Sequence, residues 1–302
     1  MYFKLFSKLS LILFGSASVI CQQLNKNILI VTTDDNESED LATNSILETM
    51  EKYSINRHRI KIKKSGILDE DLHNALYDDN GNAKYKAIVF PNGRISYNDD
   101  DIWTSAIKPL QWEEIYQYSR SFGSRLVFLN EYPSNYTATM LYSDNDNNNI
   151  FTSLQKISAA PGTTGAEAIN SANLDTNNIY HFPAKLQNTE TVFAEPLLYF
   201  NENDVLPEKT IAAVSVNNAG AKYAAYFMAF GGWSKTSHAL NILWLSWATE
   251  MDLKDLSSTQ DVTTEQALLN VKNNISSDAE RNRKLGILFI TLSSLLTFFY
   301  LL

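Results

Sequence analysis

The chain has 302 residues, a net charge of −9 and a single cysteine, and 44% of its residues are hydrophobic. This length and composition suffice for a buried core in one large or two small domains. The acidic balance argues against nucleic acid as a partner. Because Cys21 is the only cysteine, an intramolecular disulfide and a cysteine nucleophile further along the chain are both excluded.

Residues 1–21 have the pattern of a secretory signal peptide. Lys4 and Lys8 form a basic start, Leu9–Phe14 is an apolar run, and Gly15–Ser18 is a stretch of small residues. We expect cleavage after Cys21, and therefore an extracellular protein.

Residues 278–302 have the pattern of a GPI-attachment signal. The apolar run Leu285–Leu302 follows the polar spacer Glu280–Lys284, and Ser276 and Ser277 are the candidate attachment residues. A single spanning helix is the alternative, but basic residues lie only on its near side. We expect attachment to the plasma membrane or cell wall through this lipid anchor, with a Ser/Thr-rich stalk at 256–277 and a folded domain at 22–255.

Three Asn-x-Ser/Thr sequons agree with a secreted glycoprotein. Their asparagines are Asn36, Asn135 and Asn274.

In chain order, strands and helices alternate through the first half of the domain. Apolar and β-branched runs predict strands, and an apolar stripe at helical spacing predicts helices. The predicted strands are Asn27–Thr33, Arg57–Lys63, Tyr85–Phe90 and Leu126–Leu129, and the helices are Leu41–Tyr53 and Trp112–Phe122. This order predicts an α/β fold with a mainly parallel sheet and helices on both faces. Its general shape resembles glutamine-amidotransferase-like or flavodoxin-like layering.

The second half predicts further strands and a long helix. Strands are expected at Val192–Phe200, Ile211–Val216 and Tyr223–Phe230, and a helix at Ser237–Met251. The turn residues at 217–220 predict an antiparallel hairpin between the last two strands, near the C-terminal end of the domain. Four tryptophans with apolar neighbours are expected in the core, namely Trp103, Trp112, Trp244 and Trp247.

Ligands of open α/β sheets bind beyond the carboxyl ends of the strands. The polar and aromatic residues that follow the predicted strands are Asp34, Asp35, Asn92, Arg94, Tyr97, Asn130, Glu131, Tyr132 and Trp233. Carboxylates, amides and a guanidinium bind sugar hydroxyls, and aromatic rings stack on the apolar face of a sugar. These residues therefore predict a carbohydrate-binding site. Alternatively, Asp34 and Asp35 cap the following helix, and Asn92–Gly93 is only a turn.

Motifs for the common catalytic chemistries are missing. The sequence has no Gly-x-Ser-x-Gly, His-Glu-x-x-His or P-loop motif, and its four histidines lack metal-ligand spacing. We therefore expect no metal, no cofactor and no catalysis. A hydrolase that uses paired carboxylates remains the enzymatic alternative.

Three stretches carry a resemblance to a known family: YKAIVFPNGRISYN, LQWEEIYQYSRSFGSRLVFLNEYPSN and AAYFMAFGGWSKTSHALNILWLSW. They look like the N-terminal carbohydrate-binding module of secreted fungal galactosaminogalactan deacetylases, over about Lys26–Leu253. The resemblance implies an α/β module that binds an amino-sugar polymer of a cell wall or matrix.

In that family a separate deacetylase domain, with an aspartate and a His-x-x-x-His metal site, follows the binding module. The sequence has no counterparts of those catalytic residues. The resemblance therefore implies a free-standing, non-catalytic binding module at the cell surface. The alternatives are the paired-carboxylate hydrolase and a structural or adhesion protein of the wall.

Overall fold

The computed structural model describes residues 27–34, 41–100, 102–142 and 148–251. Within these residues the helices are α1 (Leu41–Lys52), α2 (Asp69–Leu76), α3 (Pro109–Phe122), α4 (Ala166–Ser171) and α5 (Lys235–Thr249). The strands are β1 (Asn27–Thr33), β2 (Asn56–Ile62), β3 (Ala87–Phe90), β4 (Ser96–Asp99), β5 (Ile102–Ser105), β6 (Arg125–Phe128), β7 (Thr139–Leu141), β8 (Ile157–Ala159), β9 (Ala184–Leu186), β10 (Val192–Phe200), β11 (Thr210–Asn218) and β12 (Ala221–Tyr226).

Ten of these strands form one sheet, whose main path runs β2-β1-β3-β6-β12-β11-β10-β8. Neighbouring strands are parallel from β2 to β12 and antiparallel from β12 to β8. β9 pairs with β11 and β7, and β4 and β5 form a separate hairpin. The carboxyl ends of β1, β3, β6 and β12 therefore lie side by side at one edge of the sheet, which we call the rim.

Helices cover both faces of the sheet. On one face Ile30 and Val127 pack in a cluster with residues of α1 and α5, and on the other Leu29 and Phe128 pack with residues of α2 and α3. Successive strand residues point to opposite faces, so a strand buried on both sides needs a continuous apolar run such as that of β1. Each buried side chain of this size contributes roughly 1.5–3 kcal/mol to stability.

The mixed α/β class and the large sheet with flanking helices are confirmed. The bounds predicted for β1 and β10 are those observed. α3 begins at Pro109, earlier than predicted, because proline is favoured in a first turn where its missing N–H is not needed. Its end at Gly123, which has a left-handed φ of 65°, agrees with the prediction. The glutamine-amidotransferase-like or flavodoxin-like layering stays a prediction.

One of the four core tryptophans was predicted wrongly. Trp112 and Trp244 are buried, and Trp247 is half-buried, but Trp103 is 70% exposed. Trp103 lies on β5, whose only pairing in the described residues is with β4. This hairpin stands outside the main sheet, so an apolar residue within it does not have to face the core.

Several predicted features lie outside the described residues. These are the signal peptide 1–21, the stalk 256–277, the attachment signal 278–302, Asp35, Asn36, Asn274, Ser276 and Ser277. Among the helices of the described ranges, none combines the length and the apolar character needed to cross a bilayer.

Candidate functional site

The rim brings together two of the predicted site segments, those that follow β3 and β6. Hydrogen bonds join them to each other and to the end of β12: the Gly93 N–H donates to Leu129 O (2.7 Å), and the Glu131 N–H donates to Tyr226 O (3.0 Å). The ends of β3, β6 and β12 thus fix the backbone positions of Gly93, which precedes Arg94, and of Glu131.

Gly93 allows these two segments to touch. Its φ is 60°, in the left-handed region that favours glycine. A Cβ at this position would lie 2.9 Å from Glu131 Oε2 and 3.2 Å from Asn130 O. A larger residue would therefore push the Glu131 carboxyl out of place as well as straining the backbone.

Arg94 is held between aromatic rings. Its guanidinium carbon lies 4.1 Å from the ring centroid of Trp112 and 3.9 Å from that of Tyr136. Arg94 Nη1 also donates a hydrogen bond to Tyr116 Oη (2.7 Å). Cation–π contacts with these two rings restrict the orientation of the guanidinium, whose N–H groups can donate hydrogen bonds to a ligand.

The backbone next to Arg94 has a strained conformation at Ile95, and a hydrogen bond from Ser105 holds the carbonyl of Arg94. Ile95 has a φ of 53°, which is a rare conformation for a β-branched residue. Ser105 Oγ donates to Arg94 O (2.6 Å) and accepts from the indole N–H of Trp112 (3.1 Å). Strained backbone of this kind is often found at functional sites.

Glu131 is the most unusual polar group of the rim. The residue is only 4% exposed, and its Oε2 has no hydrogen-bond partner among the described residues. Burial raises the pKa of this carboxyl to about 7, against the lowering effect of Arg94. A buried carboxyl with a vacant acceptor can receive a hydrogen bond from a ligand hydroxyl or ammonium group.

The partners of Arg94 were not identified as site residues from the sequence. Trp112 was expected in the core because of its apolar neighbours, and Tyr116 was given no role in the site. Tyr136 was predicted only to be part of the sequon at Asn135. In the structure Tyr136 is 56% exposed, and its carbonyl accepts a hydrogen bond from the hydroxyl of Tyr223.

Three other predicted residues lie at the rim with different surroundings. Asp34 is exposed at the end of β1, and its N–H donates to Ile62 O (3.0 Å) and to Tyr97 Oη (3.1 Å). The Tyr97 hydroxyl in turn donates to Ile62 O (2.5 Å), so it joins the ends of β1 and β2. Asn92 is half-buried beside Gly93.

The remaining predicted residues occupy the β6 and β12 exits. Asn130 is exposed with a left-handed φ of 51°, and Tyr132 is 53% exposed. Trp233 is half-buried beyond the end of β12, and a Cβ on Gly231 would overlap its ring. Its indole N–H donates to Asn178 O (3.3 Å), so its position depends on the loop before β9.

The sequon asparagine Asn135 is exposed in a 3-10 turn at Asn135–Thr137, next to Tyr136. Across the described part of the chain, no group of three or more His, Cys, Asp or Glu side chains is arranged to hold a metal ion.

Comparisons with known proteins find one matching family model and several solved structures with a similar fold. The Agd3 CBM87 family model matches residues 24–247. The crystal structure of Agd3, described as a novel carbohydrate deacetylase, aligns with a TM-score of 0.61 and 24% identity over 74% of this chain and 32% of that one. The chain thus spans about a third of the length of that deacetylase.

Two other solved structures align with lower scores. A ThuA-like protein from Parabacteroides merdae aligns at 10% identity with a TM-score of 0.45, over 79% of this chain and 93% of its own. A β-galactosidase from Rahnella sp. R3 aligns at 11% identity with a TM-score of 0.44, over 74% of this chain and 31% of its own. No curated protein sequence matches the chain.

Proposed function

Because the chain belongs to the Agd3 CBM87 family, a family of carbohydrate-binding modules, we propose that it binds an amino-sugar polysaccharide at the cell surface without catalysing a reaction on it. The polymer would be a wall or matrix component similar to galactosaminogalactan. The family match supports carbohydrate binding, and the chemistry of the rim supports the more specific choice of an amino sugar.

The observation that carries the proposal is the buried Glu131 carboxyl beside the clamped guanidinium of Arg94. Its vacant Oε2 can accept a hydrogen bond from the ammonium group of a deacetylated sugar, and the edge of Arg94 can donate to a hydroxyl oxygen. The exposed ring of Tyr136 lies against the same guanidinium and offers an apolar surface for a sugar ring.

The surface location is part of the proposal. Secretion and lipid anchoring are supported by the sequence patterns of residues 1–21 and 278–302. They agree with a partner that is an extracellular polymer.

A pull-down experiment tests the proposal. The full-length chain, solubilised in detergent, is incubated with insoluble galactosaminogalactan in its native and chemically deacetylated forms, and with cellulose as a polymer without nitrogen. We expect retention on the deacetylated polymer. Because charge-assisted hydrogen bonds contribute about 1.5–3 kcal/mol, Glu131→Gln is expected to weaken retention roughly tenfold or more.

Glu195→Gln is the matched control, since Glu195 is exposed on β10, away from the rim. Equal retention of Glu131→Gln and the wild type would show that the rim is not the binding site. Retention on none of the polymers, with the chain still at the surface, would favour the adhesion alternative. Release of reducing sugar from a bound polymer would favour the hydrolase alternative.

The hydrolase alternative has no further support from the structure. Paired-carboxylate hydrolysis needs a second carboxyl within reach of the first. The pKa of Glu131 is set by burial and by Arg94, with no contribution from another carboxylate among the described residues.

A further inference from the structure

A line of aromatic side chains continues from Tyr132 away from Glu131. Its members are Tyr132, Phe182, Tyr180 and Phe151, and we call them the aromatic strip. Ring centroids are 5.2 Å apart between Tyr132 and Phe182 and 5.3 Å apart between Phe182 and Tyr180. Phe151 completes the strip, with its ring 5.8 Å from that of Tyr180.

The strip is fixed to the same strand end as Glu131. The Glu131 N–H donates to Tyr226 O, and the Phe182 N–H donates to the next carbonyl, Phe227 O (2.7 Å). The Ala229 N–H then donates to Tyr180 O (2.8 Å). The exit of β12 thus positions both the polar rim and the strip, and it fixes their backbones relative to each other.

The strip is open to solvent at its tyrosines. Tyr132 is 53% exposed and Tyr180 is 48% exposed, whereas Phe182 and Phe151 are half-buried. The Phe182 ring contacts both tyrosine rings, and the Phe151 ring contacts that of Tyr180. Rigid aromatic rings that present a face to water at little entropic cost are suited to stacking on the apolar face of a sugar. A hydroxyl at the ring edge adds a hydrogen-bonding group, which an interior packing role would not need.

A groove lies at the far end of the strip. It has a volume of about 430 Å³, and its lining includes Tyr180, Leu154, Asn177 and Asn178. The carbonyl of Asn178 accepts the indole N–H of Trp233. Amide and hydroxyl groups beside an exposed apolar side chain are a suitable lining for a sugar unit. Through Asn178 the groove is therefore connected to Trp233, which is distant in the chain.

We propose that the polysaccharide extends from the rim at Arg94 and Glu131 along the aromatic strip into this groove, so that the protein binds several consecutive sugar units. The inference rests on the proposed function, because it adds further subsites to the same ligand. It assigns a binding role to Phe151, Tyr180 and Phe182, which the sequence pattern did not indicate.

The test measures affinity as a function of ligand length. The full-length chain in detergent is titrated calorimetrically with partly deacetylated galactosaminogalactan oligosaccharides, from a disaccharide to a dodecasaccharide. In the wild type we expect affinity to rise with length as the strip and groove become occupied. Tyr180→Ala is expected to remove this rise and to weaken dodecasaccharide binding about tenfold, while disaccharide binding stays unchanged.

Phe193→Ala is the matched control. Phe193 is a similarly exposed aromatic residue (52%), but it pairs with Asn217 at the end of the sheet opposite the rim. Its removal is expected to leave the length dependence intact.

The outcomes separate this inference from the proposed function. If wild type and Tyr180→Ala bind all lengths equally well, the strip is not a subsite, although the rim binds sugar. If no oligosaccharide binds to the wild type, the proposed function itself is wrong. If Phe193→Ala weakens binding as much as Tyr180→Ala, the effect is general and the inference is overturned.

Discussion

At the residue scale, Glu131 is a carboxyl kept in an environment that favours its neutral form. Burial opposes ionisation, and the single guanidinium of Arg94 only partly compensates. A buried oxygen such as Oε2, without a hydrogen-bond partner among the described residues, costs free energy. This cost is explained if a ligand supplies the missing donor, because the residue then serves binding at the expense of stability.

The raised pKa predicts a pH dependence of stability. The folded-state pKa of Glu131, about 7, lies above its ordinary value of 4.5, so the folded state holds the proton more tightly. The stability contributed by the neutral carboxyl is complete below pH 4.5 and is lost as the pH rises to about 7. A shift of this size corresponds to a loss of roughly 3 kcal/mol.

The measurement compares unfolding free energies of wild type and Glu131→Gln in urea at several pH values. The two are expected to be alike at pH values near the ordinary pKa of a carboxyl, and the variant is expected to be the more stable above neutrality. The comparison is needed because burial lowers the pKa of His181, which reduces stability as the medium becomes acidic. Parallel curves for the two proteins would show that Glu131 titrates normally.

At the element scale, α1 and α5 cover the same face of the sheet and are joined by a buried polar link. Asn241 Nδ2 donates to Ser45 Oγ (2.8 Å), and its Oδ1 accepts the indole N–H of Trp244 (2.8 Å). Asn241 is fully buried. A satisfied link of this kind fixes how the two helices lie against each other, which apolar packing alone does not specify.

Replacing Asn241 by leucine tests the strength of this link. The substitution keeps the number and branching of the side-chain heavy atoms but removes the hydrogen-bond partner of the Trp244 N–H and of the Ser45 hydroxyl. We therefore expect a loss of about 2–3 kcal/mol in the free energy of unfolding. Asn44→Leu, at an exposed position of α1, is the control and is expected to change stability by about 0.5 kcal/mol or less. Similar urea midpoints for Asn241→Leu and wild type would contradict a stabilising link.

At the scale of the whole molecule, net charge bears on the choice of polymer. The chain carries a charge of −9, and a deacetylated amino-sugar polymer is cationic. Long-range attraction of this kind is screened by salt, since the Debye length falls from about 10 Å at 0.1 M to about 3 Å at 1 M.

We therefore expect retention on the deacetylated polymer to fall steadily as salt is added, and retention on the acetylated polymer to change little. The measurement is the pull-down repeated over a series of sodium chloride concentrations. If salt affects retention on both polymers equally, the net charge of the protein does not contribute to the selection of the ligand.

The sheet could be predicted from the sequence because its strands are encoded locally. The apolar run of β1 and the long strand β10 have the bounds expected for them. The rule that ligands bind at strand carboxyl ends then predicted Arg94 and Glu131 as residues of the candidate site, and the structure brings these two side chains close together. Local pattern and topology were sufficient for this part of the site.

The rest of the surface could not be predicted because it is formed by loops without periodicity. Tyr136 reaches Arg94 from a 3-10 turn, and Phe182 is positioned by a hydrogen bond to Phe227, far away in the chain. The strand predicted to continue to Phe230 ends at Tyr226, and beyond it the Phe227 carbonyl accepts from the Phe182 N–H and the Ala229 N–H donates to Tyr180 O. Such positions depend on tertiary contacts that a local pattern does not contain.

The separation of β6 and β12 along the chain has a consequence for biosynthesis. The two strands are neighbours in the sheet, but residues 129–220 are made between them. Contacts between distant segments form slowly, and a chain grows from its N-terminus on the ribosome. A nascent chain arrested before β12 would expose an unpaired edge of β6 and would lack the anchor of Glu131. The proposed ligand-binding surface is therefore expected to form late in translation, after the apolar core of the N-terminal half has emerged.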